Sequence, residues 1–341
     1  MNHHARNTVF TVFDFEYSYD DPNPLLQKSE IRRVYVGSQN GLLFQVNYNT
    51  HELEEVYKLY DNAAISSIAV SAGFCVTGSS DQLLRVWQMD FSEYILEAGN
   101  DGVVASLALN EDSTQVACGT SAGTLSILDL TNNNFKTIVR SHTSNVTQIV
   151  YHPFSNSMIT LSSDLTIRLW DTDQLEQTYE FSYPSTDICT CLSGNPNALQ
   201  FAAGFKSGIL RIFDIETTSV IEEITHHSNP IMHIEYSPDG HYLAVLEEKL
   251  NMLYSPLHSH QPIKHLPVEF ESKYKHCCFS EDSEQIAIIG DSGTHVNLWE
   301  LRSLQMIGKI FTGKVIKKLK YEGDRLWCIF EDTSIRRYNL A

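Results

Sequence analysis

One short pattern recurs through this chain and limits what it can fold into. At Asp164–Asp171 the sequence reads DLTIRLWD, with Ile167 and Leu169 alternating against Thr166 and Arg168 before Trp170 and an acidic stop. Alternation over this length marks a half-buried β-strand, because successive side chains point to opposite faces. Clear copies are DQLLRVWQMD from Asp81, SGILRIFDIE from Ser207, SGTHVNLWEL from Ser292 and DTSIRRYNL from Asp332. Weaker copies are NGLLFQVNY from Asn40, AGTLSILDL from Ala122 and EKLNMLYSP from Glu248. The sixth residue after the turn position, or the seventh in the copy from Ser292, is in turn Val46, Trp87, Leu128, Trp170, Phe213, Tyr254, Trp299 and Tyr338, at intervals of 39 to 45 residues. A unit of this size cannot bury its own apolar face, so the copies must stack on one another.

Each copy follows two further strand-like segments, as in AISSIAVS and FCVTGS before LLRVWQMD. The turns between those two segments are built from Asn, Asp, Pro, Ser and Gly: NEDS at Asn110, HPFSN at His152, NPNA at Asn195, SPDG at Ser237 and SEDS at Ser280. Such residues close tight turns through side-chain hydrogen bonds and permissive dihedrals. A fourth extended segment separates one copy from the next, among them ELEEVYKLY, SEYILEAG, SVIEEITHH and QMIGKIFTG. These number seven against eight sets of three, so either the eighth repeat is three-stranded or the chain is a segment of a longer protein, and the second reading is favoured. At the start, residues 8–17 read as a strand, and Ser18–Glu30, with two prolines and several charges, reads as an insertion projecting from one face. The expectation is an all-β chain with almost no helix and one domain over residues 1–341, with eight repeats favoured over seven.

Charge and cysteine usage narrow the setting. Formal charge is −18, but residues 305–341 carry eight basic and four acidic side chains, so the remainder carries −22. An acidic body disfavours non-specific nucleic-acid binding, which needs phosphate neutralisation. The seven cysteines show no paired metal-site or redox spacing, and an odd number suits a reducing intracellular compartment. Cys75, Cys118 and Cys328 fall on expected second strands as small buried hydrophobes, and the even spacing of Cys189 and Cys191 places them on one strand face. No signal-peptide pattern is read at the N-terminus, and no run approaches the roughly 20 apolar residues that span a bilayer. No membrane partner is expected, and the sequon at Asn145 is given no weight.

The recurring copies resemble the WD-repeat family, in which each repeat supplies one four-stranded blade of a β-propeller. The resemblance implies a buried hydrogen-bonded chain in the fourth repeat, from Trp170 through Thr160 and His142 to Asp164. Taken alone, His142 and Asp164 suggest a catalytic dyad; in this register they are structural. The second repeat keeps Thr77, Asp81 and Trp87 but has no His, and the seventh has Trp299 without the Asp. Only one blade is therefore expected to carry the full set. HSHQPIKH clusters His258, His260 and His265 without a carboxylate, so no metal site is expected there; His3, His4, His226 and His227 read as surface residues. GKVIKKLK lacks the glycine and Ser/Thr of a phosphate loop, and no catalytic motif is present. No cofactor is expected.

More specifically, FCVTGSSDQLLRVWQMDF at Phe74–Phe91, LEAGNDGVVASLAL from Leu96 and RSHTSNVTQIV from Arg140 resemble a family of long centriolar and ciliary WD-repeat proteins. That family has several propellers behind an N-terminal microtubule-binding module and lies along the inner wall of the centriolar triplet. No such module is read in these residues, so the resemblance implies a non-catalytic scaffold propeller of the centriole, basal body or axoneme. The alternative is a generic intracellular adaptor, such as a ubiquitin-ligase or trafficking subunit. The basic eighth repeat supplies the candidate interface, Lys317, Lys318, Lys320, Arg336 and Arg337, for an acidic partner such as tubulin or a neighbouring scaffold protein.

Overall fold

The computed structural model describes residues 10–18, 30–47, 53–71, 73–110, 112–138, 141–152, 156–183, 187–247, 250–256, 261–267, 275–290, 292–323, 325–332 and 334–340. The expected insertion and the histidines His3, His4, His258 and His260 lie outside the described residues. Among those described are thirty-one β-strands and no α-helix. They form eight antiparallel sheets, each running in chain order, seven of four strands and the last of three. Eight blades and a three-stranded eighth agree with the count of turn positions.

The turn position fixes one register for all eight third strands. The residue six places after it (seven in the seventh blade) faces a second-strand residue: Val46 faces Val34, Trp87 faces Cys75, Leu128 faces Val116 and Trp170 faces Met158. In the later blades Phe213 faces Phe201, Tyr254 faces Leu243, Trp299 faces Ile286 and Tyr338 faces Leu326. The turn itself takes a left-handed residue. It is glycine in Gly41, Gly123, Gly208 and Gly293, but Gln82 (φ 74°) and Leu165 (φ 68°) in the second and fourth blades, where Asp precedes it. The Asp81 and Asp164 carboxylates accept the backbone N–H groups of Leu83 and Thr166 and so close those turns without glycine.

The chain divides into two compact units, Met1–Tyr151 with Ser162–Thr166 and His152–Leu161 with Ile167–Ala341. Within each unit, first strands of successive blades pack side by side. In the first, Ile65 packs over Gly37, Val104 over Gly78 and Val146 over Gly119; in the second, Ile231 packs over Gly204. A Cβ on any of these glycines would come within 3.0 Å of the branched side chain, so the small residue of the second strand is a socket for the next blade. A bulge next to it lets first-strand hydroxyls reach across. Ser66 Oγ donates to the Val104 carbonyl, Ser106 Oγ to the Val146 carbonyl and Thr190 Oγ1 to the Ile231 carbonyl. The same bulge corrects one expectation. It sets Cys189 opposite Phe205 and Cys191 opposite Gly204, so the two cysteines face opposite sides of the strand, both buried. Cys75, Cys118 and Cys328 lie buried on second strands, as read.

The second strand of a blade is the most buried, as in Phe74–Ser79 and Gln115–Thr120, whereas the fourth is an exposed edge, as in Leu53–Lys58 and Tyr94–Gly99. Charged pairs cover that edge. Arg85, Arg168 and Arg211, each two residues before the aromatic position, reach fourth-strand Glu97, Glu180 and Glu223 at 2.6, 3.2 and 2.8 Å.

Candidate functional site

The side chains at the aromatic position carry the polar groups of the interior, so their partners decide whether these are reactive or structural. In the fourth blade, Trp170 Nε1 donates to Thr160 Oγ1 at 2.8 Å, both side chains being buried. His142 Nδ1 lies 3.0 Å from Asp164 Oδ2. The same Asp164 carboxylate accepts the Thr143 backbone N–H and the Thr166 hydroxyl. Burial alone would raise the Asp164 carboxyl; those donors and His142 outweigh it and hold the group below its ordinary range. A carboxylate with its lone pairs filled is a poor base, and the arrangement offers no exposed nucleophile.

The second blade has a counterpart that the sequence did not reveal. Trp87 Nε1 donates to Thr77 Oγ1 at 2.8 Å, and Tyr60 Oη lies 2.7 Å from the same hydroxyl. The Tyr60 backbone N–H donates to Gly41, as that of His142 does to Gly123. Tyr60 therefore stands where the fourth blade has histidine. The signal was present in the spacing from the preceding glycine, but residue type hid it.

The sixth blade solves the same problem with ionisable groups. Tyr254 occupies the aromatic position, and its Oη lies 2.8 Å from His227 Nε2. His227 Nδ1 sits 3.5 Å from Glu247 Oε1, while Glu247 Oε2 accepts the Asn229 backbone N–H. All three side chains are buried, which corrects the reading of His227 as a surface residue; His226 beside it is exposed. Burial lowers the His227 imidazole below its ordinary value, against the opposing pull of Glu247. Tyr254 is pushed up by burial.

A groove of about 630 Å³ opens on the second blade, around Arg85. The guanidinium is enclosed: its Cζ lies 4.6 Å from the Tyr60 ring centroid and 5.3 Å from that of Tyr94. Its Nη1 donates to the Leu59 carbonyl and its Nε to Glu97. With its arginine spoken for, the groove presents Lys58, Asp61, Asp81 and Glu93, a mixed polar lining suited to contacts with another protein chain.

The five basic residues of the eighth blade are less uniform than their charge suggests. On the first strand, Ile316–Glu322, Lys317 and Lys318 are exposed and Lys320 is half-buried; on the third, Ile335–Asn339, Arg336 is exposed and Arg337 half-buried. Register places Lys320 and Arg337 either side of Trp327 on one face, and Arg336 opposite Cys328 on the other. Lys317 sits at the bulge between Ile316 and Lys318. Arg336 Cζ is 5.8 Å from the Phe330 ring centroid.

A repeated four-stranded antiparallel unit, one register at eight aromatic positions and paired Trp–Thr bonds together define the class: the chain belongs to the WD-repeat β-propeller family. The profile of the family described as "WD domain, G-beta repeat" matches residues 133–171, the segment that carries His142, Thr160, Asp164 and Trp170. The chain is similar to WD repeat-containing protein 90 of Xenopus tropicalis, 30% identical over 308 residues, which is 83% of this chain and 17% of that protein. It is also similar to Centriole proteome protein 16 of Chlamydomonas reinhardtii, 31% identical over 317 residues, 90% of this chain and 15% of that protein. The chain thus spans less than a fifth of either relative. Among solved structures, the computationally designed Ika8 protein matches with a TM-score of 0.79 over 97% of this chain and 96% of that one; at 14% identity this likeness concerns the fold alone.

Proposed function

We propose that the chain is a non-catalytic scaffold propeller of centriolar, basal-body or axonemal microtubule assemblies, located in the cytoskeleton and acting through protein–protein contacts. The observation that carries this reading is the similarity to Centriole proteome protein 16, which extends over 90% of the chain and is therefore not confined to one generic repeat. The interior supports it from the chemical side. The polar groups of Trp87, Trp170 and Tyr254 are occupied with buried partners, and the groove on the second blade offers polar docking chemistry without a nucleophile held against a base. The eighth blade supplies the charge contrast, with Lys317, Lys318, Lys320, Arg336 and Arg337 meeting an acidic partner such as tubulin or a neighbouring scaffold protein.

The test is charge reversal. A chain carrying Lys317→Glu, Lys318→Glu and Arg336→Glu alters the three exposed members and should keep its melting temperature while losing recruitment to centrioles or axonemes. Recruitment at the wild-type level by that folded variant would leave the basic residues as charge balance. Wild-type recruitment to a ubiquitin-ligase or trafficking complex instead would favour the generic adaptor.

A further inference from the structure

First strands of neighbouring blades bring together residues that are far apart in sequence. In the second unit, Ile231–Tyr236 of the sixth blade carries His233 and Glu235, two residues apart and so on one face. The first strand of the seventh blade, Cys277–Phe279, presents Cys277 to that face. Cys277 belongs to the apolar layer of Ala244, Leu246, Phe279, Ile286 and Ile288 between these two blades. The trio therefore sits at the margin of a dry layer, with Cys277 buried and the His233 and Glu235 side chains 23% and 34% exposed.

We propose that His233, Glu235 and Cys277 form a binding site for one divalent transition-metal ion of the zinc class, held between the sixth and seventh blades. Their donor atoms all lie within 4.8 Å of one another. His233 Nε2 is 3.4 Å and Cys277 Sγ 3.7 Å from the same Glu235 oxygen. Metal bonds of about 2.0–2.3 Å at tetrahedral angles place neighbouring donors about 3.4–3.6 Å apart, so the observed spacing suits a shared cation. As a direct imidazole–carboxylate hydrogen bond, by contrast, the 3.4 Å contact is long. The donor set is also right in kind: one imidazole, one carboxylate and one thiolate favour zinc-class ions over calcium or magnesium, which take oxygen. Thiolate and carboxylate together balance a dication, and binding releases the Cys277 proton to solvent.

A second observation at the same place concerns His276. Its ring stacks on that of His233, with centroids 4.5 Å apart and planes 20° from parallel. Its Nδ1 is shielded from water and has no hydrogen-bond partner among the described residues. A shielded imidazole nitrogen without a partner is costly, and this one lies on the ring stacked against His233, one of the three donors. The charge of Lys318 on the eighth blade acts on His276 and opposes cation binding, so affinity is set against that field. The site was hidden from sequence reading because Glu235 and Cys277 lie 42 residues apart, one repeat, with no motif spacing.

Cobalt(II) is the probe. Titrating the metal-free 341-residue chain should give one tetrahedral cobalt per chain, with a thiolate-to-cobalt charge-transfer band that zinc displaces. Cys277→Ser should abolish the band and Cys191→Ser should leave it. Glu235→Gln and His233→Gln, which keep the thiol, should each weaken binding by more than the about 10- to 100-fold that loss of an outer-shell partner costs. Absence of the band, its survival in folded Cys277→Ser, or unchanged affinity in both folded Gln variants would overturn the site. If Cys277→Ser fails to fold, the two Gln variants decide alone.

Discussion

The second and sixth blades place an aromatic side chain at the same register and satisfy it in opposite ways. In the second, the Trp87 indole and the Tyr60 phenol share the Thr77 hydroxyl, and every partner stays neutral at physiological pH. In the sixth, the Tyr254 phenol meets the His227 imidazole, which has the Glu247 carboxylate behind it. The position thus prescribes a shape and a polar tip to be satisfied, and several residue sets meet that prescription. The difference lies in what each set does when conditions change. A neutral set responds to the loss of volume, an ionisable one to the loss of volume and to protons.

The largest effect should come from removing an indole. Trp87→Ala and Trp170→Ala each empty a buried site and remove one hydrogen bond to a buried threonine hydroxyl, and each should cost about 3–5 kcal/mol in denaturant unfolding. An unchanged midpoint for Trp87→Ala would mean that Tyr60 and Thr77 hold the second blade without it. Tyr254→Phe keeps the volume and removes one hydrogen bond to a buried imidazole, so it should cost about 1–3 kcal/mol. A cost as large as that of Trp87→Ala would erase the distinction between the two blades.

Acid should separate them further. Burial holds the folded His227 below its ordinary value of 6.5, so the unfolded chain takes up a proton that the folded chain refuses. Its contribution is fully present above pH 6.5 and is lost as pH falls from there toward the folded value. Glu247, Tyr254, His226 and His265 are the titratable groups around it. His227→Gln should flatten the fall of the urea midpoint just below pH 6.5, while Thr77→Val in the second blade lowers the midpoint equally at every pH. The smallest effect belongs to the turn. Gln82 is exposed and left-handed, so Gln82→Gly relieves strain while loosening the unfolded chain, for a net gain of about 0.5 kcal/mol or less.

The repeat was legible because its signal is physical at every copy: alternation, an aromatic at one offset and a turn that closes through Asp or Gly. Eight copies made the blade count readable even where Val46 or Leu128 replaced the aromatic. What failed to show depends on three-dimensional neighbours. Tyr60 was missed because a phenol does not look like the histidine it replaces. His227 looked like surface because its exposed neighbour His226 shares the dipeptide, and only the contact with Tyr254 shows which of the two turns inward. The facing of Cys189 and Cys191 was misread because a bulge breaks the two-residue period. The five basic residues were grouped by charge, whereas pleat and bulge distribute them over both faces of the blade.

The scaffold reading is tested most directly by where the chain goes. A fluorescently tagged copy of the 341 residues, expressed in a ciliated cell and imaged by super-resolution microscopy, should concentrate on centrioles, basal bodies or axonemes. A folded chain that stays diffuse, or that gathers at an unrelated compartment, would contradict the account.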